Sequence, residues 1–177
     1  SYDVSKDGRT YTFHLRPGMV WSDGHPTTAH DYVYGWKRGL APETGSRSAQ
    51  QLWIIEGAQD YNEGKTKSSD AVGVRALDDL TLEVKLVGPA PYFPDLVTYV
   101  AYSPIPRWAV EAHGDQWTRP ANIVTNGPFL LSKWLERDRF ELTRNPTFWD
   151  AAHIGLAGAV IYITDSEAQV LTLHERG

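Results

Sequence analysis

Six histidines, at positions 14, 25, 30, 113, 153 and 174, are the first residues to test for chemistry. A metal centre wants three or four ligands at tight spacing, as in His-Glu-x-x-His on one helix face. No such spacing occurs. His25 and His30 are near enough in sequence to share a helix start, but no third ligand stands beside them. The carboxylates offer pairs of the kind used in glycoside hydrolysis, Asp23 with Asp31 or Glu136 with Glu141. Both pairs sit among turn and surface signals, where charged residues are mostly solvated. The serines lack the Gly-x-Ser-x-Gly elbow that presents a nucleophile. No glycine-rich loop follows a strand, so no phosphate cradle is indicated. Asn145 precedes Pro146, which rules out a glycosylation sequon. There is no cysteine, so disulfides, thiolate chemistry and Cys-based metal sites are excluded. The residues describe no enzyme, and neither a metal nor a cofactor is expected.

The composition points the same way. A chain of 177 residues suggests one domain, or one domain plus a piece of another. It is 41% hydrophobic and 22% charged, ordinary for a soluble globular protein with a real core. A net charge of −5 provides no basic field for nucleic acid or anionic lipid. No apolar run approaches the roughly 18 residues a membrane helix needs. Seven Trp and nine Tyr exceed what a core of this size usually requires. Aromatics are favoured in ligand clefts and interfaces, and equally serve as scaffold packing.

The elements that would position these residues are organised around Phe13 to Arg38. Tyr11, Phe13 and Leu15 alternate with Thr10, Thr12, His14 and Arg16, the period of a half-buried strand. Pro17-Gly18 and Asp23-Gly24 are turn dipeptides. Thr27 or Thr28 can cap a following helix, with Asp31 in its first turn and Tyr32, Val33 and Trp36 on one face. Ser5-Lys6-Asp7-Gly8-Arg9 makes residues 1 to 16 a hairpin. Ser48 to Ala58 is expected as helix, continuing weakly to a stop at Gly64. Residues 72 to 77 and 81 to 86 form a second hairpin around Asp78-Asp79-Leu80. A short helix over Tyr92 to Val97 and an extended Tyr99-Val100-Ala101-Tyr102 lead to Ser103-Pro104-Ile105-Pro106, a subdomain boundary because two prolines resist helix and central strand alike.

A helix from Arg107 to His113 ends at Gly114, and Trp117 to Val124 is irregular. Asn126-Gly127-Pro128 turns into a hairpin of 129–135 and 139–144. Ala159 to Ile163 is a continuous apolar run, the signature of a buried strand. Asp165 or Ser166 then caps a helix running to Glu175. Trp21, Trp36, Trp134 and Trp149 fall at apolar periodic positions and are assigned to scaffold.

Three ordered stretches resemble one family. They are YTFHLRPGMVWSDGHPTTAHDYVYGWKR, ALDDLTLEVKLVGPAPYF and TNGPFLLSKWLERDRFELTRNPTFW. They are similar to the extracytoplasmic solute-binding proteins of oligopeptide and dipeptide ABC importers, with Asp31, Trp36 and Arg38 standing where that pattern wants them. The resemblance implies a mixed α/β fragment of a two-lobed clamshell of the periplasmic-binding-protein type (class II). Residues 1–105 would be its accessory subdomain and 106–177 part of the first lobe. The opening on Ser1-Tyr2-Asp3-Val4, close to a strand, reads as a fragment start without its signal segment. The implied setting is periplasmic or a cell-surface lipoprotein, the implied partners a peptide and the permease subunits. Tyr99, Val100, Ala101 and Tyr102 match a family stretch that faces the cleft, Tyr99 standing where one variant has His. Asn126 and Gly127 match a family turn near the cleft, where Gly allows close backbone approach. Taken as residues alone, the tyrosines serve equally as core and the Asn-Gly pair as a tight turn. Nickel chelates, haem, cell-wall peptides and opines are related ligands of the family. The alternative from another class is a carbohydrate-active or carbohydrate-binding protein with an aromatic-lined cleft.

Overall fold

A computed structural model describes residues 1–164; the cap at Asp165 or Ser166 and the helix to Glu175 lie outside the described residues. Two compact units account for the chain, Ser1–Gly18 with Thr27–Arg107 and Met19–Pro26 with Trp108–Gly177. In the first, the period-two residues build a four-stranded antiparallel sheet from Tyr2–Val4 (β1), Thr10–His14 (β2), Val74–Asp78 (β3) and Thr81–Lys85 (β4), in the order β1-β2-β4-β3. Tyr11 lies opposite Val84, which lies opposite Val74; Phe13 pairs in the same way with Leu82 and Ala76. These rows form the inner face, because strand side chains alternate. The rows between them carry Thr12, Glu83 and Arg75, and the Arg75–Glu83 ion pair of 2.6 Å faces outward.

The helix Ala29–Leu40 (α1) packs on that face and buries Ala29, Asp31, Gly35, Trp36 and Leu40. Its N-cap is Thr28, and the Asp31 carboxylate accepts the Thr28 N–H at 2.8 Å. Such an acceptor satisfies one free donor at the helix start, worth about 1 kcal/mol. Lys37 and Arg38 in the last turn suit the negative end of the dipole. Leu52, Ile55, Phe93 and Tyr102 complete the core. Each large apolar side chain there contributes about 1.5–3 kcal/mol by leaving water.

The expected helix from Ser48 to Ala58 is not continuous. A 3₁₀ turn covers Ala49–Leu52, and the α-helical segment Ala58–Asn62 (α2) starts only after Gly57. Gly57 has φ of 72°, and a Cβ there would stand 2.1 Å from the Ala71 carbonyl oxygen. The close pass of residues 71–72 therefore breaks the helix, a tertiary demand that overrides local propensity. Gly64 ends the segment as expected. The short helix after the hairpin is Phe93–Leu96 (α3).

The second unit contains most of Arg107–His113 (α4) and a three-stranded antiparallel sheet, Phe129–Leu135 (β5), Arg139–Arg144 (β6) and Gly158–Tyr162 (β7), in that order. A bulge at Ser132, whose hydroxyl donates to the Glu141 carbonyl at 2.8 Å, shifts the register of the β5–β6 hairpin. The run Ala159 to Ile163 is not buried as expected. β7 is an edge strand whose Val160, Ile161 and Tyr162 are about half exposed. Its apolar content would suit a strand covered on both faces, but no covering layer lies over it among the described residues. The loop 19–26 goes with this unit: Trp21 N–H donates to His25 O at 2.8 Å, and the buried Trp21 ring meets Trp108 edge-on at 5.8 Å.

Candidate functional site

The six expected binding residues divide between the units. Tyr99, Val100, Ala101 and Tyr102 are in the first, and they are not extended as the sequence suggested. Val100–Tyr102 is a 3₁₀ turn closed by Tyr102 N–H to Tyr99 O at 3.0 Å. Tertiary bonds pull it round. Trp36 Nε1 donates to the Tyr102 carbonyl at 2.8 Å, and the Tyr102 hydroxyl donates to Gln51 O at 2.5 Å. Tyr102 is 2% exposed, packed T-shaped against Trp36 at 5.1 Å, and burial pushes its phenol up to about 12. The same turn throws Tyr99 and Val100 outward, 57% and 80% exposed, with Ala101 half-buried against the core. The stretch thus splits into a core anchor and a presented pair.

Asn126 and Gly127 belong to the second unit, in a turn held by side chains on three sides. Ser22 donates its N–H to Thr125 O at 2.8 Å, and Ser22 Oγ accepts the Thr125 N–H at 3.2 Å. Thr125 Oγ1 accepts the Gly127 N–H at 3.1 Å. Asn145, fully buried, donates from Nδ2 to Gly127 O at 2.8 Å and from its backbone N–H to Pro128 O at 2.9 Å. Its Oδ1 in turn accepts from Thr147 N–H and Oγ1 at 3.0 and 2.8 Å, so this buried amide is satisfied on both ends. Sequence reading missed Ser22, Thr125 and Asn145 as a group. Each lies in a quoted motif, but only the fold brings positions 22, 125 and 145 together.

The carboxylates nominated for hydrolysis have structural partners. Asp31 caps α1, and Glu136 and Glu141 pair with Arg119 and Arg139, each at 2.8 Å. Asp23 accepts from Trp108 Nε1 at 2.8 Å and lies 3.0 Å from His25 Nδ1. Burial pushes the Asp23 carboxyl up, but the donors on Trp108 and His25 outweigh it and leave it below the usual carboxylate range. Trp21 and Trp36 are buried, and Trp134 is half-buried beneath the Arg119 guanidinium, 4.5 Å from its ring centre. Trp149, assigned to scaffold, is instead half exposed. Among the described residues no group of three or more His, Cys, Asp or Glu could hold a metal ion, and no helix is long and apolar enough to cross a membrane.

The family model described as bacterial extracellular solute-binding proteins, family 5, middle region, matches residues 1–177. The chain belongs to this family. Among its relatives, the periplasmic oligopeptide-binding protein OppA of Salmonella typhimurium is 49% identical over 150 residues, 84% of this chain and 27% of that protein. A solved OppA from Burkholderia pseudomallei superposes with a TM-score of 0.96 at 33% identity, covering 100% of this chain and 35% of the other. Haemophilus influenzae OppA, solved in complex with the peptide RPPGFSPFR, gives 0.94 at 33% identity, with the same coverage. The chain therefore spans about a third or less of the length of these family-5 proteins. The mixed α/β reading holds, as part of the solute-binding-protein fold.

Proposed function

We propose that this chain is part of the substrate-binding component of a peptide-type ABC importer. It captures oligopeptides or dipeptides outside the cytoplasmic membrane and delivers them to the permease subunits. The observation that carries this reading is the family match along all 177 residues, with relatives named for oligopeptide binding. Residues 1–105 are then the accessory subdomain and residues 106–177 part of the first lobe. Capture is non-catalytic, and the setting is the periplasm or, through a lipid anchor, the cell surface. Main-chain hydrogen bonds of the strand-addition type supply affinity from atoms every peptide shares, and hydrated pockets tolerate varied side chains. The binding residues are Tyr99, Val100, Ala101 and Tyr102 on one unit, with Tyr102 acting through its anchoring of the turn, and Asn126 and Gly127 on the other. Two lobes closing by a hinge would complete the site.

A backbone NMR titration with a mixed pool of short peptides tests this, with short oligosaccharides as the comparison. One lobe orders the ligand with only part of the contacts, so weak, saturable peptide shifts are the expected result. Saturation by the sugars with none by the peptides overturns the reading.

A further inference from the structure

We propose that Asn126 is the station at which the ligand's main chain hydrogen-bonds, and that Ser22, Thr125 and Asn145 are positioning residues that hold it open. The inference rests on the peptide-capture reading and names the atoms that would serve it. Across residues 125 to 128 the backbone polar groups are accounted for, with one exception. Thr125 N–H and C=O go to Ser22, Gly127 N–H to Thr125 Oγ1, Gly127 C=O and Pro128 C=O to Asn145. Asn126 makes no hydrogen bond to any described residue, through its N–H, its C=O or its carboxamide. Its immediate neighbours are each bonded. A residue with both main-chain groups unpaired presents what an edge-strand residue presents, a donor and an acceptor that an extended peptide can match. The carboxamide adds two donors and an acceptor of its own.

Gly127 fits this use. Its φ is not in the left-handed region, and a Cβ there would meet only Thr125 Oγ1, at 3.4 Å. The fold itself leaves room for a side chain, so what glycine keeps clear is the space beside Asn126. The clamp is rigid for a physical reason. Asn145 is 0% exposed and bonded through both its Nδ2 and its Oδ1, and buried amides held at both ends move little.

The test is an NMR and calorimetric titration of the protein with short peptides bearing uncharged side chains, repeated on Asn126→Ala, Gly127→Ala, Ser22→Ala and Ser22→Thr. The Asn126 and Gly127 amides should shift and saturate together. Loss of one neutral hydrogen bond in Asn126→Ala should weaken binding about threefold to tenfold. Gly127→Ala should weaken it at least as much with no fall in melting temperature, a result that a purely structural role would not produce. Ser22→Ala should lower affinity and Ser22→Thr restore it. If peptides shift other residues and these variants bind like the wild type, the station is wrong and peptide capture stands. If no peptide shifts any residue up to its solubility, both fall.

Discussion

At Tyr102 a main-chain acceptor, a phenol donor and a buried ring act on the same residue. Tyr102→Phe keeps the ring but leaves Gln51 O without its donor, which should lower stability at neutral pH by about 1–3 kcal/mol in urea unfolding. The phenol also makes stability depend on pH. The folded state holds this proton up to about 12, against 10 for an ordinary tyrosine. Its contribution is therefore whole below pH 10 and is lost as the pH rises from 10 to 12. Wild-type urea midpoints should fall across that window, and Tyr102→Phe should flatten part of the fall. Tyr11, which donates to Ala90 O at 2.8 Å, and Tyr32 and Tyr61, all likewise raised by burial, keep the remainder. Equal slopes in the two proteins would show that Tyr102 ionises freely in the fold.

Among the elements, the segment between α1 and the β3–β4 hairpin depends most on one backbone position. Gly57 combines left-handed φ with a carbonyl oxygen 2.1 Å from where a Cβ would go. The neighbour is backbone, so neither side can give way cheaply. Gly57→Ala should cost about 3 kcal/mol or more and lower the melting temperature by over 10 °C. Gly18→Ala shares the positive φ but meets nothing within 4 Å, so it should cost far less. Comparable losses in both would mean that backbone strain, not the close approach, sets the cost. Other elements follow from pattern alone. The Asp7-Gly8 turn specifies the β1–β2 hairpin locally and the Asp78-Asp79-Leu80 turn the β3–β4 hairpin, whereas the break at Gly57 depends on residues 71 and 72.

At the scale of the whole molecule, the two units differ in how far their apolar surfaces are covered. The first closes a core over Trp36, Leu40, Phe93 and Tyr102. In the second sheet Leu131, Trp134, Phe140, Leu142, Ala159 and Ile161 line one face by register, and none of them is fully buried. A contiguous apolar face of this kind drives association. Sedimentation velocity should show mass rising with concentration, and Ile161→Lys, at the exposed edge, should reduce the effect. A strictly monomeric chain that binds no apolar dye would show that the face needs no cover.

The sequence alone determined the family, the hairpins, α1 and its acidic first turn, because these rest on residue order within windows of about thirty positions. Alternation and capping are local physics, and they survived in the structure. Tertiary structure decided three other matters. Tyr102 left the expected extended stretch for the core because Trp36, which donates to its carbonyl, and Gln51, which accepts from its hydroxyl, are distant in sequence. β7 became an exposed edge because burial depends on what packs against a strand, which its own apolar run does not encode. The clamp of Ser22, Thr125 and Asn145 around Asn126 joins residues more than a hundred positions apart. No spacing rule reaches that far, since a folded chain makes such contacts only when separate elements have already been brought together.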